Sequence, residues 1–216
     1  MKKAIIFDLD GTLLNTLPDI AYHLNCALRE YGLKELSITE VRNLVSLPVE
    51  DLIEQASGYS QGTSVYKQVF DKYIEYAQDI INYHYLAFFE DIPKVITELK
   101  NRGYLLFILT NKSRKEATGI KNIYLKGYPF DEIVTQMPGV PTKPDPTSTI
   151  YLLKKYDISP ENAYFVGDGE TDVLAGLGAN TNLIAVLWGN RDKDLLEKYG
   201  ATVFAEKPLD LLKLIP

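Results

Sequence analysis

The sequence predicts an α/β fold: a doubly wound, Rossmann-like parallel sheet with an all-helical segment inserted near its start. Short apolar runs recur along the chain and end at acidic or glycine residues, which is typical of strands buried on both faces. Segments with helical spacing separate these runs, and this alternation implies crossover connections between parallel strands. The region from 14 to 88 breaks the alternation, because it has helical patterns and almost no strand signal.

The core strands and helices follow from these patterns in chain order. The first strand is the apolar run Ala4 to Phe7, cut off by Asp8. Later strands are predicted at 104–110, 132–135, 163–166 and 182–187, with a weaker one at 202–204. Helices are predicted over 92–99, 113–125, 147–156 and 171–177. Asp91 is expected to cap the first of these helices, and Asn180 to adopt the left-handed turn that ends the last.

The inserted region is predicted to be all-helical. Its first helix carries the apolar residues on one stripe, namely Ile20, Leu24, Ala27, Leu28 and Tyr31. Ser37 and Glu40 have the spacing of a capping box, and Gly58 with Gly62 bracket a turn before a longer helix that reaches about residue 84. We therefore predict a core domain of residues 1–14 and 88–216 and an inserted all-helical domain of residues 15–87.

Composition excludes several classes of function. With 46% hydrophobic and 24% charged residues, the chain has the balance of an ordered, water-soluble protein. Its net charge of −6 does not favour binding to nucleic acid or to an anionic membrane, which are both negatively charged, so neither partner is expected. We see neither a recognisable leader nor an apolar stretch of the roughly 18 residues that a membrane span needs. Cys26 is the single cysteine, which excludes intramolecular disulfides and favours a reducing cytoplasm.

The first strand ends in a pair of aspartates. Asp8 and Asp10 are two residues apart in an extended segment, so both carboxylates should project to the same side. Gly11 then lets the chain turn, and Thr12 offers a hydroxyl and an amide. Ligands of open α/β sheets bind at the carboxyl ends of the strands. Taken alone, the pair fits a helix cap and a turn equally well.

Other strand ends carry complementary groups. Thr110-Asn111 ends the second strand, Lys143 follows the third, and Asp168 and Asp172 follow the fourth. Two carboxylates about 4 Å apart repel by about 4 kcal/mol at an effective dielectric near 20, so the gathered aspartates predict a bound cation. The candidate ligands are all oxygen atoms, which favours Mg²⁺ over Zn²⁺.

This ordered set of motifs resembles the haloacid dehalogenase superfamily of phosphohydrolases. The matching segments are residues 7–12, Thr110-Asn111, Lys143-Pro144 and residues 167–172. The position of the insert is similar to that of the subfamily with a small helical cap. Residues 7–20 and Trp188-Gly189 look like the phosphoglycolate phosphatases of that group. The resemblance covers the whole chain and implies a Mg²⁺-dependent phosphatase acting on a small phosphorylated metabolite, as a monomer or homodimer.

The resemblance also implies the catalytic roles. Asp8 would attack phosphorus and form a phospho-aspartyl intermediate, a nucleophile that needs no activating base because it is already ionised at neutral pH. Asp10 would protonate the leaving oxygen and later take a proton from the hydrolytic water. Thr110 and the amide of Asn111 would bind phosphoryl oxygens, and Lys143 would balance the charge of nucleophile and phosphate.

The implied metal ligands are Asp8, Asp168 and the carbonyl of Asp10. Asp172 and Thr12 would lie just outside them, with Asp172 orienting a metal-bound water or Lys143.

The cap departs from the family pattern. Ser46-Leu47-Pro48 replaces the usual glycine-containing specificity loop, which leaves the substrate open, and Asn15-Thr16 replaces an Asp-Ser pair. Arg42 is either a ligand for a second anionic group or an exposed helix residue. His23 and His84 are expected to have packing or surface roles.

Three other functions remain open. A β-phosphoglucomutase-like enzyme would use the same intermediate, but such enzymes usually carry an apolar residue where this chain has Thr12. A dehalogenase would lack the acid at Asp10. A signalling module resembling bacterial receiver domains would also combine acids, Mg²⁺ and a lysine, although it would not need the cap to enclose its site.

Overall fold

A parallel sheet of six strands forms the centre of the α/β fold. A computed structural model of the chain describes residues 2–45, 47–136 and 139–216. The sheet strands are β1 (Ala4–Phe7), β4 (Leu105–Leu109), β5 (Glu132–Val134), β6 (Ala163–Gly167), β7 (Asn182–Val186) and β8 (Phe204–Ala205). Their order is β5-β4-β1-β6-β7-β8, and every pairing is parallel. All six predicted strands are therefore confirmed, and only their ends differ.

Helices cover both faces of this sheet. They are α5 (Ile92–Asn101), α6 (Arg114–Ile123), α7 (Thr147–Tyr156), α8 (Glu170–Gly178), α9 (Lys193–Lys198) and α10 (Leu211–Leu214). The alternation along β1 shows why its sequence is continuously apolar: Ile5 and Phe7 join one core cluster, whereas Ala4 and Ile6 join the cluster on the opposite face. None of the four side chains is exposed to solvent. The doubly wound architecture is confirmed.

Among the described residues, four helices form the inserted cap, and they have a hydrophobic core of their own. These helices are α1 (Leu17–Glu30), α2 (Ile38–Leu44), α3 (Val49–Ser57) and α4 (Ser64–Gln78). The predicted capping box of Ser37 and Glu40 is present at the start of α2. Helix α4 ends earlier than predicted, because the Asp79 side chain accepts a hydrogen bond from the amide of Ile81 and starts a separate 3₁₀ turn, Ile80–Asn82.

The cap joins the core through a two-stranded antiparallel ribbon. Its strands are β2 (Leu14–Asn15) and β3 (Ala87–Phe88), with Leu14 opposite Phe88. Next to the ribbon, the buried Asp19 carboxylate accepts hydrogen bonds from the amides of His84 and Tyr85, which fixes the returning chain. The ribbon lies where the predicted boundaries fall, and the division into two domains itself stays a prediction.

Two local predictions had different outcomes. Asn180 adopts the left-handed conformation expected of it, with φ of 58°. Asp91 precedes α5, but the prediction that its side chain caps the helix is wrong, because Asp91 itself is left-handed with φ of 63° and makes no capping hydrogen bond. Within the described ranges, no helix is long and apolar enough to cross a bilayer.

Candidate active site

Three of the predicted aspartates meet at the carboxyl ends of β1 and β6. Asp8 follows β1 directly, and its amide donates to the carbonyl of Val166, 2.9 Å away, so the backbone is held by the neighbouring strand. Asp168 follows β6, and Asp172 lies in the first turn of α8. One carboxylate oxygen from each of the three lies within 4.8 Å of the others, and all three residues are buried.

Lys143 bridges two of these acids. Its ammonium nitrogen lies 2.6 Å from Asp8 Oδ1 and 2.7 Å from Asp172 Oδ1, and its side chain is buried. The Asn111 side chain positions the lysine backbone: its Nδ2 donates to the Lys143 carbonyl at 2.8 Å, and the Lys143 amide donates to its Oδ1 at 3.0 Å. Asn111 thus has a side-chain role that the sequence did not indicate, and the motifs after β4 and β5 form one unit.

Asp168 sits in a cradle of small residues and donors. Thr12 Oγ1 donates to Asp168 Oδ1 at 3.0 Å, and the amide of Asn190 donates to Oδ2 at 2.7 Å. A Cβ atom on Gly11 or Gly189 would overlap the Asp168 side chain, and Gly11 also has φ of +79°. Glycine is therefore required at these two positions to let the backbone approach the carboxylate.

Burial makes the acidic cluster hard to ionise. Burial, followed by the neighbouring Asp172 carboxylate, raises the pKa of Asp168 to about 7, against the lowering effect of the hydrogen bonds from Asn190 and Thr12. Burial and Asp172 also raise the pKa of Asp8 well above its ordinary value, although Lys143 acts in the opposite direction. Burial alone would lower the pKa of Lys143, but the carboxylates of Asp172 and Asp8 hold it above the ordinary value.

The cluster fits a hard divalent cation. The Lys143 ammonium pairs with two of the three buried carboxylates, so further positive charge would stabilise the ionised forms of the cluster. The donors are all oxygen atoms from different segments, a set that suits Mg²⁺. The residues present thus agree with the predicted magnesium site.

The raised pKa of Asp168 predicts that the stability of the protein in EDTA depends on pH. Its pKa is higher in the folded chain than in the unfolded chain, so its stabilising contribution is complete below about pH 4 and is lost as pH rises through about 7. We expect the free energy of unfolding to fall by roughly 2 to 3 kcal/mol between pH 5 and 7.5 on this account, measured by urea denaturation.

Asp168→Asn is the control for that measurement. Burial lowers the pKa of His23, which opposes the trend in the same window, so the prediction concerns the difference between parent and variant. That difference includes the part of the raised pKa of Asp8 that is due to Asp168. Parallel stability curves for the two proteins would contradict the prediction.

The Asp10 carboxylate contacts a second lysine, Lys112. Its Oδ1 lies 3.4 Å from the ammonium of Lys112, which in turn lies 3.5 Å from Glu116 Oε1 and 6.0 Å from the centre of the Tyr83 ring. Sequence reasoning missed Lys112, although it directly follows the Thr110-Asn111 motif. Burial alone would lower the pKa of the lysine, but Asp10, Tyr83 and Glu116 hold it well above the ordinary value. The buried Thr110 fixes the backbone here, since its Oγ1 accepts from the amide of Lys112 at 3.2 Å.

Cap residues contact the core beside Asp168. Arg42 Nε donates to the carbonyl of Asn190 at 2.9 Å, and its Nη2 lies 3.1 Å from Asp192 Oδ1. The buried Arg191 returns the contact, donating from Nη1 to the Arg42 carbonyl at 2.7 Å and from Nε to Glu170 Oε2 at 3.1 Å. Arg42 thus lies on α2 with a side chain that is 38% exposed, and it joins this helix to the loop after β7. Its role as a ligand for a second anionic group stays a prediction.

Both cap histidines pack against tyrosine rings. His23 is buried, with Nε2 3.1 Å from the Asn82 carbonyl and its ring against Tyr83, as a packing residue would be. The ring of His84 packs edge-on against Tyr22. In the predicted specificity segment, Ser46 falls outside the described residues.

Comparison with known proteins agrees with this geometry. The sequence model of the haloacid dehalogenase-like hydrolase family matches residues 5–186. The chain is 30% identical over 224 residues to a phosphoglycolate phosphatase of Mannheimia succiniciproducens, covering 99% of this chain and 98% of that protein. It is 28% identical over 216 residues to the pyrophosphatase PpaX of Bacillus mycoides, with 99% and 96% coverage.

The fold has a close counterpart among solved structures. A haloacid dehalogenase-like hydrolase from Streptococcus pneumoniae matches with a TM-score of 0.84 at 26% identity, over 100% of this chain and 99% of that one. Family match, full-length relatives and fold all agree with the ordered motifs at the strand ends. The chain therefore belongs to the haloacid dehalogenase-like hydrolase family, as an enzyme of the phosphatase type.

Proposed function

We propose that the chain is a Mg²⁺-dependent phosphatase that hydrolyses small phosphomonoesters through a phospho-aspartyl intermediate, with 2-phosphoglycolate as the first candidate substrate. One observation carries the proposal: Asp8 lies at the end of β1 with its carboxylate 2.6 Å from the Lys143 ammonium and close to Asp168 and Asp172. A carboxylate in that setting can accept phosphorus while neighbouring charges balance the transferred group.

In the first half-reaction, the Asp8 carboxylate attacks phosphorus and the bond to the ester oxygen breaks. Asp10 donates a proton to that oxygen, so the alcohol leaves neutral. Thr110, the amide of Asn111 and Lys143 hold the phosphoryl oxygens, and catalysis depends mainly on positioning and charge.

In the second half-reaction, Asp10 takes a proton from a water molecule, which attacks the same phosphorus. The bond between phosphorus and Asp8 breaks, which releases inorganic phosphate and restores both carboxyl groups to their starting states. A single residue thus alternates between acid and base.

The carboxylates of Asp8 and Asp168 and the carbonyl of Asp10 would hold Mg²⁺, while Thr12 orients Asp168 and Asp172 orients Lys143. When bound, the cation supplies positive charge to the phosphoryl oxygens and to the acidic cluster.

The proposal extends to the setting of the reaction. Its substrate is a small phosphorylated metabolite, and the enzyme acts as a monomer or homodimer in the cytoplasm. The single cysteine and the net charge of −6 support this setting and give no reason to expect nucleic acid or membrane as a partner.

A panel of phosphate compounds tests the function. Purified protein is incubated with 2-phosphoglycolate, other alkyl and sugar phosphates, p-nitrophenyl phosphate and pyrophosphate, and released phosphate is measured with Mg²⁺ and with EDTA. We expect many turnovers on alkyl monoesters with Mg²⁺ and at least about tenfold less with EDTA. Pyrophosphate belongs in the panel because one full-length relative is named a pyrophosphatase.

The panel also separates the competing functions. Isomerisation of a hexose phosphate without phosphate release would indicate a β-phosphoglucomutase-like enzyme. Release of at most one equivalent would indicate a receiver-like module, and exclusive cleavage of pyrophosphate would contradict the assignment to monoesters.

A further inference from the structure

Lys112 is a largely buried cation that lies between the cap and Asp10, the residue proposed to act as both acid and base. Its side chain is only 10% exposed, and its ammonium contacts Asp10 Oδ1 at 3.4 Å and Glu116 Oε1 at 3.5 Å. Its backbone is also fixed, because its amide donates to Thr110 Oγ1 and its carbonyl accepts from the amide of Gln136. Both the backbone and the ammonium group of Lys112 are therefore held in place.

Glu116 and Tyr83 determine where the ammonium lies. Glu116 Oε2 accepts from the amide and hydroxyl of Ser113, at 3.3 and 2.8 Å, in a capping box that opens α6. The Tyr83 hydroxyl lies 3.0 Å from the Ala77 carbonyl and 3.4 Å from Glu116 Oε1. Since Ala77 and Tyr83 belong to α4 and the segment returning from the cap, the position of Lys112 depends on the docked cap.

Asp10 is the other carboxylate that the Lys112 ammonium contacts. Its Oδ1 is buried and lacks a hydrogen-bond partner among the residues that the structure describes. Within the same part of the chain, Lys112 is the one cationic side chain in ion-pair contact with it. Glu116 offsets the lysine charge, so Asp10 is oriented without facing a full uncompensated positive charge.

We propose that Lys112 is a positioning residue: it holds the Asp10 carboxyl in line with the leaving-group oxygen and does not itself bind substrate. The inference rests on the proposed phosphatase function of the same site. Direct substrate binding is disfavoured because the ammonium is almost fully buried and already faces two carboxylates. A proton donor must be held within hydrogen-bond reach of its acceptor, so loss of this contact should affect proton transfer first.

The dependence of the rate on the leaving group tests the role. kcat/KM is measured for the parent, Lys112→Met, Lys112→Arg and Lys115→Met, with an alkyl ester such as 2-phosphoglycolate and with 2,4-dinitrophenyl phosphate. This parameter covers transfer of phosphorus to Asp8 and excludes the later hydrolysis. An alkoxide needs a proton in order to leave, whereas dinitrophenolate leaves without one.

We expect Lys112→Met to lower kcat/KM by roughly 10- to 100-fold on the alkyl ester and by less than about threefold on the dinitrophenyl ester. Lys112→Arg should recover most of the loss, and Lys115→Met, at an exposed lysine in the first turn of α6, should match the parent. In an Asp10→Asn background, Lys112→Met should change the alkyl-ester value by less than about twofold, because the group that it positions is gone.

Three results would overturn the inference: equal losses on both esters, no loss on either, or a full additional loss in the Asp10→Asn background. If Lys112→Met does not fold, Lys112→Gln is measured in the same way and judged by the same criteria. A parent enzyme inactive on both esters would instead refute the proposed function, so the two failures are distinguishable.

Discussion

Replacing Asp8 with asparagine is expected to lower turnover by on the order of 1,000-fold or more, with the fold unchanged. The amide has the shape of the carboxylate but cannot attack phosphorus. Stability should not fall, because Asp8 is buried and its pKa is already raised, so a neutral group is less costly to place there than an ionised one. Phosphate release with Mg²⁺ and urea denaturation measure the two effects.

An exposed aspartate provides the control for this variant. Asp71 pairs with Lys67 on the surface of the cap, and Asp71→Asn should leave turnover within about twofold of the parent. If the Asp8 variant keeps more than a few per cent of parental turnover, Asp8 is not the nucleophile. If it unfolds, the expectation about the cost of the buried charge is wrong.

The parts of the fold predictable from sequence are those in which burial alone decides the structure. The run from Ala4 to Phe7 contributes to a core on each face of the sheet, so its residues had to be continuously apolar. Asp8 and Asp168 were predictable in turn, because each directly follows such a run and parallel strands end at the same edge. Thr12 and Lys143 were predictable from the same ordered set of motifs: Thr12 contacts Asp168, and Lys143 contacts Asp8.

The parts not predictable depend on contacts between distant segments or on a local backbone conformation. The placement of Lys112 involves Tyr83 from the cap return, and that of Arg42 involves Asn190 from the loop after β7. The spacing of residues along the chain does not show which long side chain reaches a distant segment. The end of α4 similarly depends on a single hydrogen bond from Ile81 to the Asp79 side chain, which competes with continued helix.

Replacing Lys143 with methionine is expected to remove most activity and to destabilise the protein in EDTA by about 3 kcal/mol at pH 8. The substitution leaves the Asp8 and Asp172 carboxylates buried without the ammonium that bridges them. Lys143 has a raised pKa, so in the parent its contribution is fully present at neutral pH and is lost only as pH rises through that high value. The loss measured by urea denaturation should be smaller at pH 6, where Asp8 takes up a proton more readily.

Lys155→Met is the matched control, because it removes a lysine contact of similar length from the surface. Lys155 lies 2.7 Å from Glu132, as close as Lys143 lies to Asp172, but its side chain is 43% exposed against 3% for Lys143. Water screens the exposed pair, so its loss should cost under about 1 kcal/mol. Equal costs for the two substitutions would show that burial does not set the strength of the Lys143 bridge. A Lys143 variant that is equally destabilised at pH 6 and pH 8 would show that repulsion between ionised carboxylates is not the cause.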